Sequence, residues 1–155
     1  MTTDSNQNYN FPRLNEKAPS FEARTTHGMK KLSDYEGKWL ILFSHPADFT
    51  PVCTTEMIAF TNAHPYFKKY NTDLLGLSID SNSSHLAWVY DIYCRTGIRI
   101  SFPIIADRNG EIARNSSLAA GGGGAGAGIG GNGGNGGAGR YGVSNDTARV
   151  CENGK

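Results

Sequence analysis

The sequence predicts an α/β fold in which a central, mostly parallel sheet is flanked by helices. Three apolar runs, at 38–44, 73–80 and 102–107, have the length and composition of buried strands. Amphipathic stretches separate them, at about 50–70 and 84–97. Because strands that alternate with helices form right-handed βαβ units, this order predicts parallel strands joined by helical crossovers.

The shorter elements around these runs have local signals of their own. Residues 17–35 predict a short hairpin or an edge strand, because the Thr-His-Gly sequence at 26–28 favours a turn. In the second helix, Ser83 or Ser84 is the predicted N-cap. Gly97 predicts the end of that helix, since glycine readily adopts the left-handed conformation of a C-terminal cap.

The first helix is predicted to run from Thr50 to about Tyr70. A third helix is predicted to begin at Glu111, after the turn sequence at 107–110. Apolar side chains at helical spacing define the predicted inner faces of the two longer helices. These side chains are Val52, Met57, Phe60, Ala63 and Phe67 in the first helix, and Leu86, Val89, Ile92 and Tyr93 in the second.

The pattern divides the chain into four segments. Residues 1–12 are polar and predict a disordered arm, and residues 13–118 predict the folded domain. Residues 119–142 hold 14 of the 20 glycines and predict a flexible linker or insert, because glycine offers little to bury. Residues 143–155 leave room for only one short strand, so the sheet is expected to be incomplete at the C-terminus.

Composition excludes several classes of function. The net charge is +1, so nothing indicates binding to nucleic acid or to an anionic membrane. The apolar run at 39–43 is too short to span a bilayer, and the polar N-terminus does not resemble a secretory signal. Three widely spaced cysteines do not form a disulfide framework, which favours a reducing, cytoplasmic location.

The segment SHPADFTPVCTTE, at 44–56, carries the strongest indication of chemistry. Thr50 and Pro51 predict a helix start with Thr50 at the N-cap and Cys53 in the first turn. Free backbone N–H groups and the helix dipole would favour the thiolate of Cys53, which is the reactive form. Cys53 also follows the C-terminal end of a predicted strand, where α/β folds place their chemistry. The alternative is a buried, inert cysteine.

The same segment resembles the active-site segment of the peroxiredoxins, the family of thiol-specific antioxidants and alkyl hydroperoxide reductases. Pro46, Thr50 and Cys53 match the pattern of proline, three residues, threonine, two residues and cysteine. The leading histidine and the Ala-Asp-Phe sequence resemble the one-cysteine subgroup. The resemblance extends over about residues 15–114 and implies a thioredoxin-like fold.

The resemblance implies a thiol-dependent peroxidase that reduces hydrogen peroxide and organic hydroperoxides, without a cofactor. Cys53 would be the peroxidatic cysteine, which attacks the hydroperoxide and becomes a sulfenic acid. Thr50 would form hydrogen bonds to the peroxide and the thiolate, and Pro46 would shield the sulfur from water. His45 would help to position the peroxide or the thiolate, although a structural histidine at the strand end is an equal alternative.

The resemblance also implies an arginine that stabilises charge on the reacting oxygens. The sequence at 146–150 makes Arg149 the candidate, with Arg114 and Arg140 as fallbacks that are better explained as surface charges. Glu56 would orient Arg149 through a salt bridge, or it would lie on a solvated helix face.

The other cysteines and histidines carry weaker predictions. Cys94 is expected to be a half-buried structural thiol, and Cys151 has no counterpart in the family pattern. A one-cysteine cycle is therefore favoured, in which an external thiol such as thioredoxin or glutathione reduces the sulfenic acid. The resemblance also allows a homodimer. His27, His64 and His85 show no metal-ligand spacing, and the sequence assigns them no metal.

The sequence departs from the family after the candidate arginine, where the expected strand is replaced by the final residues. We therefore expect a weakened or inactive enzyme, and robust peroxide turnover would contradict this. The alternative function is a non-catalytic, peroxiredoxin-like binding or interaction protein. A disulfide reductase is disfavoured, because Thr54 and Thr55 follow Cys53 and no C-x-x-C sequence occurs.

Overall fold

A mixed sheet of five strands organises the part of the chain that the computed structural model describes, residues 17–116. The strands are β1 (Glu22–Thr25), β2 (Gly28–Lys31), β3 (Trp39–Ser44), β4 (Thr72–Ser78) and β5 (Ile104–Ala106). The helices are α1 (Pro51–Lys69), α2 (Asn82–Thr96) and α3 (Glu111–Asn115), with a 3-10 turn at Leu32–Tyr35. None of the helices in this region has the length and apolar character needed to cross a bilayer.

The strand order β2-β1-β5-β4-β3 combines a parallel core with an antiparallel hairpin. β4 pairs in parallel with both β3 and β5, as the βαβ pattern predicted. β1 pairs in antiparallel fashion with β2 and with β5. The predicted hairpin within 17–35 is therefore confirmed, and it extends the sheet beyond β5.

The sheet carries apolar clusters on both faces, because alternate residues of β4 point in opposite directions. Leu74 packs in one cluster with Met57 of α1 and Trp88 of α2. Leu75 and Leu77 pack in the other cluster, which includes Ala113 of α3 and residues of β1 and β5. The two long helices therefore cover one face of the sheet, and α3 lies on the other.

β3 is less buried than the sequence predicted. Its residues were expected to be buried on both faces, yet Trp39 is 75% exposed and the other five are half-buried. Within residues 17–116, β3 ends the sheet and pairs only with β4, which leaves its outer edge uncovered. Every residue of β4, the strand between β3 and β5, is buried.

The inner faces of both long helices differ from the prediction at several positions. Val52 is 57% exposed, and the neighbouring Cys53 faces the core instead. One residue turns a helix by about 100°, so a shift of one position exchanges the inner and outer sides. In α2, Leu86 and Tyr93 are exposed, contrary to the prediction. The buried face of α2 consists of His85, Trp88 and Ile92.

The ends of α2 are defined by one corrected cap and one confirmed cap. The N-cap is Ser81 rather than Ser83 or Ser84, and its hydroxyl accepts a hydrogen bond of 3.1 Å from the Ser84 N–H. At the other end Gly97 has φ of 73°, and its N–H donates to the Tyr93 carbonyl at 2.7 Å.

A charged cluster ties the start of β4 to its neighbours. The buried Asp73 carboxylate accepts a hydrogen bond of 3.2 Å from Lys38, which precedes β3, and it is also paired with Lys68 near the end of α1. Burial alone would raise the pKa of Asp73, but the hydrogen bonds and charges of the two lysines outweigh it and lower the pKa.

Leu77→Ala should destabilise the fold by about 2–5 kcal/mol, because Leu77 is fully buried and truncation leaves a cavity. Leu86→Ala is the matched control, since Leu86 is 46% exposed, and it should cost much less. Urea unfolding of the two variants measures the difference. Equal losses would contradict the observed orientation of the two side chains.

The lowered pKa of Asp73 predicts a loss of stability in acid. A carboxylate with a lowered pKa in the folded state stabilises the protein above its unfolded pKa, here 3.8. Stability should therefore fall as the pH drops below about 4, and Asp73→Asn should flatten that dependence. Glu22→Gln, at an exposed carboxylate, is the control and should leave the slope unchanged. Urea midpoints measured between pH 2 and 6 provide the test.

Candidate active site

Cys53 lies in the first turn of α1, directly after the loop that leaves β3. Thr50 is the N-cap residue with extended backbone angles, and Pro51 is the first helical residue, as the sequence predicted. The Cys53 thiol is free and its residue is only 4% exposed. The sulfur-bearing residue is thus held at the positive end of a 19-residue helix.

Thr50 caps the helix with its backbone rather than with its side chain. Its carbonyl accepts the Thr54 N–H at 3.0 Å, which begins the helical pattern. The Thr50 hydroxyl instead donates to the Ala47 carbonyl at 3.0 Å, within the same loop. The single hydroxyl proton is therefore used inside the loop, while the oxygen keeps lone pairs that can accept another hydrogen bond.

The loop before Cys53 is strained and has an apolar outer surface. Phe49 has φ of 59°, a left-handed conformation that is uncommon for a bulky residue. Its side chain is 54% exposed, and Pro46 and Val52 are also exposed. Exposed apolar groups thus lie before and after Thr50, while Cys53 itself is buried.

Trp88 anchors the first turn of α1 to α2. Its indole N–H donates to the Thr54 hydroxyl at 3.2 Å, and that hydroxyl donates to the Thr50 carbonyl at 2.8 Å. The Trp88 ring also packs against the His45 ring, with centroids 5.0 Å apart. One side chain therefore contacts both the residue after Cys53 and the histidine at the end of β3.

A buried cluster of His45, Asp48 and His85 lies behind the loop. His45 Nε2 is 2.8 Å from Asp48 Oδ1, and His85 Nδ1 is 2.8 Å from Asp48 Oδ2. The Ser84 hydroxyl donates to Asp48 Oδ2 at 2.7 Å. His85 Nε2 is 3.1 Å from the carbonyl oxygen of Ile105. The cluster therefore joins the loop after β3 to α2 and to β5.

The hydrogen bonds of the cluster define its charges. Burial raises the pKa of Asp48, but hydrogen bonds from His45, His85 and Ser84 outweigh this effect and lower the pKa to about 2. Asp48 is thus a carboxylate at neutral pH. Both ring nitrogens of His85 face oxygen atoms, Nδ1 the Asp48 carboxylate and Nε2 the Ile105 carbonyl, so the ring is held at two points.

His45 takes a different role in the same cluster. Its Nε2 faces the Asp48 carboxylate and donates a hydrogen bond to it. Its Nδ1 is buried and has no hydrogen-bond partner among the described residues. A buried ring nitrogen without a partner is energetically costly, so Nδ1 is available to a ligand that enters the site.

The structure brings some of the predicted residues together and leaves others outside the described region. Thr50, Pro46 and His45 lie in or beside the loop before Cys53, and Glu56 is exposed one turn further along α1. Arg114 is an exposed residue of α3. The predicted contacts of Arg149 lie outside the described residues, as do Arg140, Cys151 and the predicted segments 1–12, 119–142 and 143–155.

Cys94 is half-buried near the end of α2, as expected, but it is not free.

Sequence reasoning missed Asp48, His85 and Trp88 as members of the site. The spacing of His85 and Trp88, three positions apart on one helix face, was the available signal. Because His85 is polar, apolar periodicity does not assign it to the buried face of the helix.

Comparison with known proteins places this site in a family. The model of the AhpC/TSA family matches residues 14–123. A peroxiredoxin of Aquifex aeolicus is 59% identical over 105 residues, which cover 67% of this chain and 47% of the relative. Peroxiredoxin 2 of Caldanaerobacter subterraneus subsp. tengcongensis is 58% identical over 104 residues, with the same two coverages.

Solved structures agree with this assignment. A yeast mitochondrial 1-Cys peroxiredoxin aligns with a TM-score of 0.62 and 47% identity, over 66% of this chain and 49% of its own. A cysteine-to-serine mutant of peroxiredoxin 6 from Arenicola marina aligns with a TM-score of 0.61 and 42% identity, over 66% and 48%. The chain belongs to the AhpC/TSA family and has a thioredoxin-like fold. It spans about half the length of the curated relatives it matches.

The hydrogen bonds of Thr54 generate a test of the anchor at the first turn of α1. Thr54→Val should destabilise the fold by about 1–3 kcal/mol, because it leaves the buried indole N–H of Trp88 without an acceptor. Thr55→Val is the matched control, since the exposed Thr55 hydroxyl bonds only to the Val52 carbonyl. Urea unfolding measures both changes, and an equal effect of the two would argue against the anchor.

Proposed function

We propose that this chain carries the thiol site of a peroxidase that reduces hydrogen peroxide and organic hydroperoxides. The observation that carries the proposal is the free, buried Cys53 in the first turn of α1, after the loop that follows the parallel strand β3. A helix start favours the thiolate, and the thiolate is the nucleophile. Membership of the AhpC/TSA family supports the same chemistry.

In the proposed reaction, the Cys53 thiolate attacks the terminal oxygen of the hydroperoxide. A sulfur–oxygen bond forms while the oxygen–oxygen bond breaks, so sulfur is oxidised by two electrons and the peroxide is reduced. The leaving oxygen takes the electron pair and one proton from water, which replaces the proton that the thiol released on ionisation, and it departs as water or an alcohol. Cys53 becomes a sulfenic acid.

The polar groups of the loop can orient the substrate in this step. The Thr50 hydroxyl donates a hydrogen bond to the Ala47 carbonyl, so its oxygen can still accept a hydrogen bond from the O–H of the hydroperoxide. The unpartnered Nδ1 of His45 offers a second buried acceptor. We propose that both groups hold the substrate, and that Pro46 covers the sulfur from solvent.

Stabilisation of negative charge needs a cation as well as acceptors. Arg149 is the proposed cation, with Glu56 as the group that orients it. The exposed position of Glu56, one turn beyond Cys53, is compatible with such a contact. In the division that we propose, residues 13–118 form the thiol domain and residues 143–155 contribute the arginine.

An external thiol is the proposed reductant of the sulfenic acid. It would attack the sulfur, release water and form a mixed disulfide, which a second thiol would then reduce. The yeast neighbour is described with glutathione and thioredoxin systems, and a thiol of that kind fits here. A homodimer and a cytosolic location are further parts of the proposal, and no metal or cofactor takes part in this reaction.

Peroxide consumption by the purified chain tests the proposal. With dithiothreitol as the reductant, the chain should consume hydrogen peroxide, at the weakened rate expected from the sequence, and Cys53→Ser should abolish this consumption because the nucleophile is lost. Thr55→Val, at the exposed threonine two residues further on, should retain it. A sulfenic acid trapped by dimedone on Cys53, detected by mass spectrometry, should accompany turnover.

The outcomes separate the two functions that the sequence left open. Turnover that survives Cys53→Ser would show that a different group is responsible. A folded chain that neither consumes peroxide nor forms the dimedone adduct would overturn the peroxidase and leave the non-catalytic binding protein.

A further inference from the structure

We propose that His45, Asp48 and His85 form a binding site for a divalent transition-metal ion, with Zn²⁺ as the best-fitting ion. One ligand atom from each residue is available, and these atoms all lie within 4.8 Å of one another. All three residues are buried, so their positions are set by packing rather than by solvent. None of the three ligands is a thiol, and His45 is the one residue that this site shares with the proposed peroxidase.

The donor set selects the kind of ion. Two imidazole nitrogens and one carboxylate oxygen suit zinc and other first-row transition ions, whereas calcium and magnesium prefer oxygen ligands alone. Three protein ligands leave the fourth position of a tetrahedral zinc ion for water or another small ligand.

The distances need only a small adjustment to accept an ion. A tetrahedral ion with bonds of about 2.0–2.2 Å holds its donor atoms about 3.3–3.6 Å apart. The present separations between the histidine nitrogens and the Asp48 oxygens are 2.8 to 3.0 Å, which are hydrogen-bond distances. Each of these histidine–aspartate pairs therefore has to open by about 0.3–0.8 Å, a change within the reach of side-chain torsions.

Outer hydrogen bonds already orient two of the three ligands. Metal-binding histidines usually donate their second ring N–H to a carbonyl or carboxylate, and His85 Nε2 makes that contact with the Ile105 carbonyl. The Ser84 hydroxyl holds Asp48 Oδ2, and the Asp48 backbone N–H donates to Asp80 at 2.9 Å. This arrangement is the one expected around the ligands of a metal centre.

The proton balance links the metal to the neighbouring site. An entering ion would replace the contact between His85 Nδ1 and Asp48 and leave Nε2 beside the Ile105 carbonyl. On His45 the ion would take Nε2, so a neutral ring would carry its proton on Nδ1 and would donate there rather than accept. Where the proposed peroxidase uses Nδ1 as an acceptor, a bound ion would therefore inhibit it. This consequence alone rests on the proposed function.

The sequence assigned no metal to His85 because the ligands are separated along the chain. His45 and Asp48 are three positions apart in a loop, and His85 follows 37 positions later on α2. Such a spacing matches no local metal-binding pattern. Only the parallel pairing of β3 and β4, followed by the crossover to α2, brings the three side chains together.

Zinc titration by calorimetry tests the site. The titrated protein is the full chain with Cys53→Ser, which removes the reactive thiol as a competing ligand and makes the result independent of peroxidase activity. It should bind one Zn²⁺, and adding His85→Gln should weaken binding by more than about 100-fold. Ser84→Ala should weaken it by about 10–100-fold, as the loss of an outer hydrogen bond does.

His64→Gln in the same background is the matched control, because His64 bonds to Ser101 outside the cluster. It should leave the affinity unchanged. Zinc affinity that survives His85→Gln, or that falls equally with His64→Gln, would overturn the proposal. So would the absence of stoichiometric binding, whether or not the unsubstituted chain consumes peroxide.

Cobalt provides a readout that does not depend on altered ligands. When Co²⁺ is added to the Cys53→Ser chain, NMR should show paramagnetically shifted imidazole N–H signals from two histidines. One of them should be the Nε2–H of His85, which is buried and bonded to the Ile105 carbonyl. Shifted signals from His64, or no shifted imidazole signals, would contradict the assignment.

Discussion

The buried carboxylate of Asp48 is the constraint on which the site depends. It accepts hydrogen bonds from His45 on its own loop and from His85 and Ser84 on α2. Removing a carboxylate from water costs several kcal/mol, and only a full set of donors offsets that cost. The donors come from the loop and from α2, and His85 of α2 also contacts the Ile105 carbonyl of β5. The loop, α2 and β5 can therefore occupy only a narrow range of relative positions.

Trp88 connects the Asp48 cluster to the first turn of α1, where Cys53 lies. His45 is fixed by Asp48 and packs against the indole ring, while the indole N–H holds Thr54 in the first turn of α1. α2 thus holds the first turn of α1 in place, and Cys53 lies in the same buried cluster as Trp88 and Ile92 of α2. The strained backbone at Phe49 lies between these two fixed points, which together compensate for its conformational cost.

The fold was predictable where one physical rule decided the outcome. Apolar runs and helix signals located β3, β4, β5 and the start of α1, because continuous burial and the Thr-Pro pair have few alternatives. Exposure was harder to predict. The burial of Cys53 in place of Val52 depends on how α1 packs against the sheet, and the exposure of β3 depends on its place in the strand order.

The candidate site was also predictable only where a short-range rule decided the placement of a residue. Thr50, Pro51 and Cys53 could be placed from local sequence, since capping is a short-range effect. Asp48 and His85 could not be paired, because their contact spans 37 positions and arises from the βαβ crossover. Both residues are polar, so a search for apolar periodicity passes over them, although they are among the most buried side chains of the chain that the structure describes.

The described residues of the site supply only part of the positive charge that the proposed reaction needs. Within residues 17–116, the Asp48 carboxylate binds the ring nitrogens of the cluster, so these contacts are already used. Thr50 Oγ keeps a lone pair, and the buried His45 Nδ1 has no partner among the described residues. Acceptors can orient the O–H of a hydroperoxide, but they oppose negative charge on its departing oxygen. In the proposed reaction, the helix start of α1 offsets part of that charge, and Arg149 is the proposed source of the remainder. The proposed roles in substrate binding and in cleavage therefore fall on different parts of the chain.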